Sequence, residues 1–273
     1  MLICEDLFLL LTTDEGGTEP WVSYRDYGLA AGLLADLTLA GCVDVEPGRW
    51  GQGSAKVSLA AEAGSASAGE ALRAQAPPLA FGLEALSGRK PTPVSTLVTA
   101  SWFNPRQAIV EGLVRQGIVD VVEKRMLGLV PEKHPTLNPQ PEADTRARLL
   151  AALRGGGDPD RGGQGPGGAD TSGAGIGGAG GAGAGGSGTA PGDALILSIL
   201  DSLGAAPRVL RDEIETAGLR RGQVKKRIAE IAEALPAEAA AGGKAVASAI
   251  AGVQAAIGAA VAASAAAGAA ASN

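Results

Sequence analysis

One stretch limits the possible folds of this chain more than any other: Trp21 to Val45, WVSYRDYGLAAGLLADLTLAGCVDV. From Tyr24 onward the apolar residues return at helical spacing. Leu29, Leu33 and Leu37 stand four apart with Leu34 beside them, and the small residues Ala30, Ala31, Gly32 and Ala35 fill the gaps. A stripe this broad and dense predicts a helix at the centre of a core. Gly41 supplies the stop, because a left-handed residue there carries no Cβ to clash. Cys42 to Val45 then reads as a strand. The arrangement recurs further on. Asn104-Pro105-Arg106 opens a second helix, lined by Ile109, Val110, Leu113 and Val114. Gly117 ends it, and Ile118 to Val121 begins another strand. GCVDV and GIVDV are the same punctuation used twice.

The remaining segments arrange themselves around these two units. Leu2 to Leu11 is apolar but has no basic start, carries Glu5 and Asp6 inside, and is about half a membrane span, so it reads as a first core helix or strand. Thr12 to Pro20 is turn chemistry, and Lys56 to Leu59 alternates as a return strand to the first. Glu70 to Ala85 is a helix interrupted by Pro77-Pro78. A second hairpin is expected from Ile118–Val122 and Met126–Val130, with Pro131 to Pro141 as loop or extended cover. Further helices are expected over Asp144–Leu153, Asp193–Leu203, Asp212–Leu219 and Gln223–Leu235. Between them 155–192 is almost entirely glycine, alanine and serine, the composition of a flexible insertion with little to bury. The GxGxxG spacing of Gly173, Gly175 and Gly178 is expected by chance in such a tract, and no strand precedes it. Alanine dominates 239–273, a tail whose side chains bury little. The expected fold is therefore mainly α, one compact helical domain formed by 1–154 and 193–238. It carries two short β-hairpins, the Gly-rich insertion and the Ala-rich tail.

Composition excludes several functions. A net charge of −6 argues against indiscriminate nucleic-acid binding, which needs a basic footprint. The two cysteines, Cys4 and Cys42, sit on apolar faces and imply neither a disulfide framework nor a metal site. A single histidine, His134, leaves no zinc cluster and no Ser-His or Cys-His pair, and its proline-rich loop suggests a structural role. Asp26, Asp36, Asp44 and Asp120 have no spacing that asks for acid–base work, and the two VDV aspartates should face solvent. No enzyme, cofactor or metal is expected, and a reducing cytoplasm is the simplest compartment.

The ordered set of segments resembles the Golgi phosphoprotein 3-like family. The likeness is carried by Glu5-Asp6-Leu7-Phe8-Leu9-Leu10, Asp14-Glu15-Gly16, the tryptophan at 21 and Gly28 to Gly41. Leu86-Ser87-Gly88, LVRQGIV, Met126-Leu127-Gly128-Leu129, His134-Pro135 and the blocks LILSILDSLG and VKKRIAEI continue it. The bias toward alanine and glycine suggests a bacterial-type member. The resemblance implies a mainly helical, non-catalytic adaptor, cytoplasmic and peripheral on a membrane face, that binds phosphatidylinositol 4-phosphate or a similar anionic headgroup and can engage a membrane-protein tail. It implies a headgroup pocket in which Trp21 and Arg106 match family positions, whereas Ala30 and Phe103 stand where two basic residues are expected. Arg25, about one helical turn from Ala30, is the candidate substitute. The hairpin that meets lipid corresponds to Val122–Leu129, with Lys124, Arg125, Met126, Leu127 and Leu129 as its contacts. Coatomer binding is not expected, since the sequence opens at the domain itself.

The residues leave other readings open. Trp21 can cap the core, Arg106 can be a solvated surface arginine, and Met126 to Leu129 can be a buried strand. The basic run Arg220, Arg221, Lys225, Lys226 and Arg227 reads as a solvated helix face or as a membrane or partner surface. Helix, glycine, strand and hairpin used twice also describe a winged-helix-like nucleic-acid or protein-binding module, although no basic recognition helix precedes either hairpin.

Overall fold

The computed structural model describes residues 1–17, 24–46, 55–61, 75–122, 133–155 and 189–238, with Gly252, Ala255, Ile257, Gly258 and Ala262. Ten α-helices and one small antiparallel sheet make up the described structure. The helices are α1 (Ile3–Leu10), α2 (Arg25–Leu39), α3 (Pro77–Leu86), α4 (Val94–Thr99) and α5 (Arg106–Arg115). After them come α6 (Gln140–Arg154), α7 (Pro191–Ser202), α8 (Ala206–Val209), α9 (Arg211–Thr216) and α10 (Arg221–Glu238).

The expected central helix is α2. Leu29, Leu33, Leu34 and Leu37 are fully buried, and α2 packs against α1, α3, α4 and α7. The open choice for residues 2–11 resolves as helix. Every residue of α1 is buried, Glu5 and Asp6 included. A segment enclosed on all sides by helices has no strand to pair with, and a helix satisfies its backbone internally. Gly32 lets α1 and α2 approach closely: a Cβ there would stand 2.9 Å from Leu7 Cδ1 and 3.0 Å from Cys4 Cα. One hydrophobic cluster runs from Ile3 to Ile231 and takes in Ile257, so helices on both sides of the Gly-rich segment share a single core.

Both glycine stops hold: Gly41 has φ +66° and Gly117 φ +68°. Strand β1 (Val43–Glu46) pairs with β2 (Lys56–Leu59), Val43 opposite Leu59 and Glu46 opposite Lys56. A third strand, β3 (Thr92–Pro93), closes the sheet on β2 and has no sequence signal of its own.

Local expectations hold in part. The interruption expected at Pro77-Pro78 is present: Gln75 is helical, Ala76 breaks the helix, and the two prolines open α3, since proline's fixed φ suits the first turn and its missing N–H is no loss there. Val114 is 39% exposed while Ile109, Val110 and Leu113 are buried, so the α5 stripe is narrower than its apolar residues suggest. Val119 and Val122 form bridges with Thr136 and Lys133, so the segment expected as loop or extended cover is extended there; their expected partners, 126–130, lie outside the described residues. The short helix α8 was not expected. In the alanine-rich tail Ile257 is fully buried, an exception to the expectation that this stretch buries little, whereas Ala255 and Ala262 are exposed. Cys4, Cys42 and His134 are buried, and Asp44 and Asp120 face solvent.

Candidate functional site

Arg25 and Arg106 are the first residues of α2 and α5. Helix N-termini carry partial positive charge on unpaired N–H groups, so an arginine at that position adds to an already positive end. The Arg25 side chain is 5% exposed. Its guanidinium lies 4.4 Å above the centre of the Phe8 ring, and Nη2 donates to Thr12 Oγ1 at 2.9 Å. Thr12 is itself held by donating to the Phe8 carbonyl. The last turn of α1 thus forms a platform for the first residue of α2. His134 also packs on Phe8, the two ring centres 5.9 Å apart, and its backbone N–H donates to Gly16 O at 3.1 Å. Gly16, at φ +79°, cannot be replaced without strain: a Cβ would lie 2.3 Å from the His134 backbone.

Burial, and then the charge of Arg106, pull the Arg25 guanidinium down from the usual arginine value to about 10; Asp26 opposes them. The charge of Arg106 is thus felt at Arg25, second to burial. Arg106 is half-buried, and its backbone N–H donates to Asn104 Oδ1 at 3.0 Å, which ties the turn that presents it. A phosphate or carboxylate at either helix start would be favoured by the guanidinium and the helix end there.

Ala30 and Phe103, where the resemblance implies basic residues, are both fully buried in the core cluster. Neither position can present a charge outward in this chain. Trp21 and the hairpin residues Lys124, Arg125, Met126, Leu127 and Leu129 lie outside the described residues. Of the pocket and hairpin residues named from the sequence, the structure thus places Arg25 and Arg106, each at the start of a helix. It also adds Phe8 and Thr12. Their role had no sequence signal beyond the closeness of Thr12 to the end of an apolar helix.

The basic run near the C-terminus divides. Arg227 turns inward and donates to the carbonyls of Ala152 (3.0 Å) and Leu153 (3.2 Å), capping the last turn of α6. Lys226 is exposed, with Nζ 3.8 Å from Glu230. Arg220 and Lys225 face solvent. Among the described residues no group of three or more His, Cys, Asp or Glu side chains could hold a metal ion. Likewise, no described helix is long and apolar enough to cross a membrane.

The Golgi phosphoprotein 3 (GPP34) family model matches residues 3–253, nearly the whole chain. The chain belongs to the Golgi phosphoprotein 3 family. The match spans α1 through α10, includes the Gly-rich segment and runs into the alanine-rich stretch, so membership rests on the whole fold and not on one motif. No curated protein matches the chain. Membership is consistent with a Golgi phosphoprotein-like adaptor, and this is not a known enzyme family.

Proposed function

We propose that this protein is a peripheral, non-catalytic adaptor that binds an anionic phospholipid headgroup of the phosphatidylinositol 4-phosphate kind. The observation that carries the reading is that Arg25 and Arg106 each open a helix, where the partial positive charge of the helix end adds to their own, and that the charge of Arg106 is felt at Arg25. An anion bound there would be favoured by both charges. Arg106 contacts the phosphate. Arg25, buried and stacked on Phe8, supplies a fixed positive field behind it in place of the cations absent at Ala30 and Phe103. Trp21 closes the mouth of the site. Lys124, Arg125, Met126, Leu127 and Leu129 meet the bilayer, cations at the headgroups and apolar side chains below. A membrane-protein tail is the adaptor's client. The functional domain is 1–154 with 193–238, and 155–192 is an insertion within it.

Flotation with phosphatidylcholine liposomes, with and without phosphatidylinositol 4-phosphate, tests the reading. Binding should require the phosphoinositide and weaken roughly tenfold in Arg106→Ala, the loss of one charge-assisted contact. Binding that is indifferent to both Arg106→Ala and Trp21→Ala would remove the site.

A further inference from the structure

A concave site lies near the C-terminal part of the described chain, between α8, α9 and the start of α10. It encloses about 380 Å³ and is lined by Pro207, Arg211, Ile214, Glu215, Leu219 and Val224. The chain builds it with one turn. Gly218, at φ +71°, ends α9, and Leu219 N–H then donates to Ile214 O at 3.1 Å. That C-terminal motif folds Leu219 back beside Ile214. The Arg220 N–H donates to Gln223 Oε1 at 2.8 Å, and α10 starts immediately. Ile214 and Val224 are buried beneath the opening, and Leu219 is half-buried beside it.

Charge is concentrated around this opening. Residues 206–227 hold seven Lys and Arg against three Asp and Glu, in a chain whose net charge is −6. Two of these groups are internal: Arg227 caps α6, and buried Glu213 accepts Arg146 Nη1 at 3.2 Å. Arg208, Arg211, Arg220, Lys225 and Lys226 remain exposed, with Asp212 and Glu215 as the exposed acids of the segment. Arg211 meets Glu215 at 3.2 Å with both side chains more than 60% exposed. So solvated a pair is weak and can be re-paired by an incoming carboxylate.

We infer that this pocket docks a short acidic peptide segment, one apolar side chain entering between Leu219 and Val224 while flanking carboxylates meet Arg211, Arg220 and Lys225. Charge complementarity selects the occupant: an apolar floor under a positive rim in an acidic protein suits an apolar anchor between acids. A lipid surface fits less well, since a bilayer is flat and would leave the concavity unfilled.

Fluorescence anisotropy of a short labelled peptide, a central phenylalanine flanked by glutamates, tests this on the full chain at low salt. Saturable binding is expected, weakening as salt is raised. The rim variant Arg211→Glu/Lys225→Glu and the pocket-filling Leu219→Trp should each weaken it roughly tenfold or more. Both alter exposed or half-exposed residues, so unchanged circular dichroism checks the fold, and Arg106→Ala should bind the peptide normally. Equal binding of a matched lysine peptide would overturn the inference, as would indifference to both variants. Capture by phosphatidylglycerol vesicles, lost in the rim variant and with no peptide binding, would assign the face to membranes instead.

Discussion

Asp36 Oδ1 accepts the backbone N–H of Ile3 at 2.8 Å, and Oδ2 accepts that of Cys4 at 3.0 Å. A carboxylate from the middle of α2 therefore caps the start of α1, whose own N-cap residue, Leu2, has no side chain able to do so. Glu5 completes the arrangement by accepting the Leu2 N–H at 3.0 Å. Removing Asp36 leaves two donors unpaired in a dry core. Asp36→Ala is expected to lose about 2–4 kcal/mol of stability, measured by urea denaturation, because each buried orphan donor costs on the order of 1–3 kcal/mol.

The same carboxyl makes stability depend on pH. Burial pushes Asp36 up to about 7, against the pull of the two N–H groups and the Cys4 thiol, and the charge of nearby Glu5 adds to the rise. The folded state then holds a proton that the unfolded chain releases near pH 4, so this contribution is present in acid and lost as pH rises from about 4 to about 7. Burial raises Glu5 and Asp6 as well, with the same sign. Thermal unfolding should show a lower Tm at pH 8 than at pH 5.5, and Asp36→Asn should reduce the difference. A difference unchanged in Asp36→Asn would show that other groups set it.

The α1–α2 contact also depends on Gly32. Its missing Cβ would meet the Cys4 backbone, at 3.0 Å from Cα and 3.1 Å from N, and that backbone cannot swing away as the Leu7 side chain could. Gly32→Ala gains helix propensity but overpacks the interface, and the second effect is larger: a net loss of about 1–3 kcal/mol is expected. Gly28→Ala is the contrast. There the nearest atom is Leu203 Cδ1 at 2.7 Å, the tip of a half-buried side chain that can rotate. Chemical denaturation of the two variants should show Gly32→Ala as the more damaging.

Much of the architecture is legible in local sequence because its signals are local. The leucine period of α2, the stops at Gly41 and Gly117 and the alternation of Lys56–Leu59 each act within a few residues. Strand β3 escapes notice because two residues carry no period, and Thr92-Pro93 become a strand only by lying beside Val57 and Lys56. Asp36 could be read as a carboxylate without a neighbour; its partners are more than thirty residues away. The candidate site divides in the same way. Arg106 stands out as an arginine at a helix start, and Arg25 enters as the substitute for the basic residue the resemblance expects at Ala30. That Ala30 and Phe103 are sealed in the core, and that Phe8 and Thr12 hold Arg25, follows only from the packing of α1 on α2.

Arg148 bridges α6 to two other helices. Its Nη2 meets Asp6 at 3.2 Å, its Nε meets Asp193 at 3.0 Å, and Thr145 also donates to Asp6. Both carboxylates are buried, whereas the arginine side chain is 44% exposed. Arg148→Ala therefore strands two buried acids next to water that can partly reach them. A cost of about 1–3 kcal/mol is expected, below the 3–5 kcal/mol of a fully buried pair. The loss should shrink in acid, because Asp6, which burial already raises, can then take up a proton. Denaturation at pH 5 and pH 8 separates this from simple loss of packing, which would cost the same at both.

Helices before and after the Gly-rich segment share one core, and polar bonds join them too. Arg148 reaches Asp193, Arg154 donates to Thr216 O at 3.0 Å, and Arg227 reaches back to Ala152 and Leu153. Helix α7 buries Leu195, Ile196, Leu197, Ile199 and Leu200, and packs on α1, α2 and α10. Burying one such side chain stabilises by about 1.5–3 kcal/mol, so the association does not depend on the connection through 156–188. A specific protease site placed between Gly173 and Gly178 and cut in the native protein should give two fragments that migrate together by size exclusion. They should separate only in denaturant. Native separation would mean that the link, and not the shared core, holds the halves together.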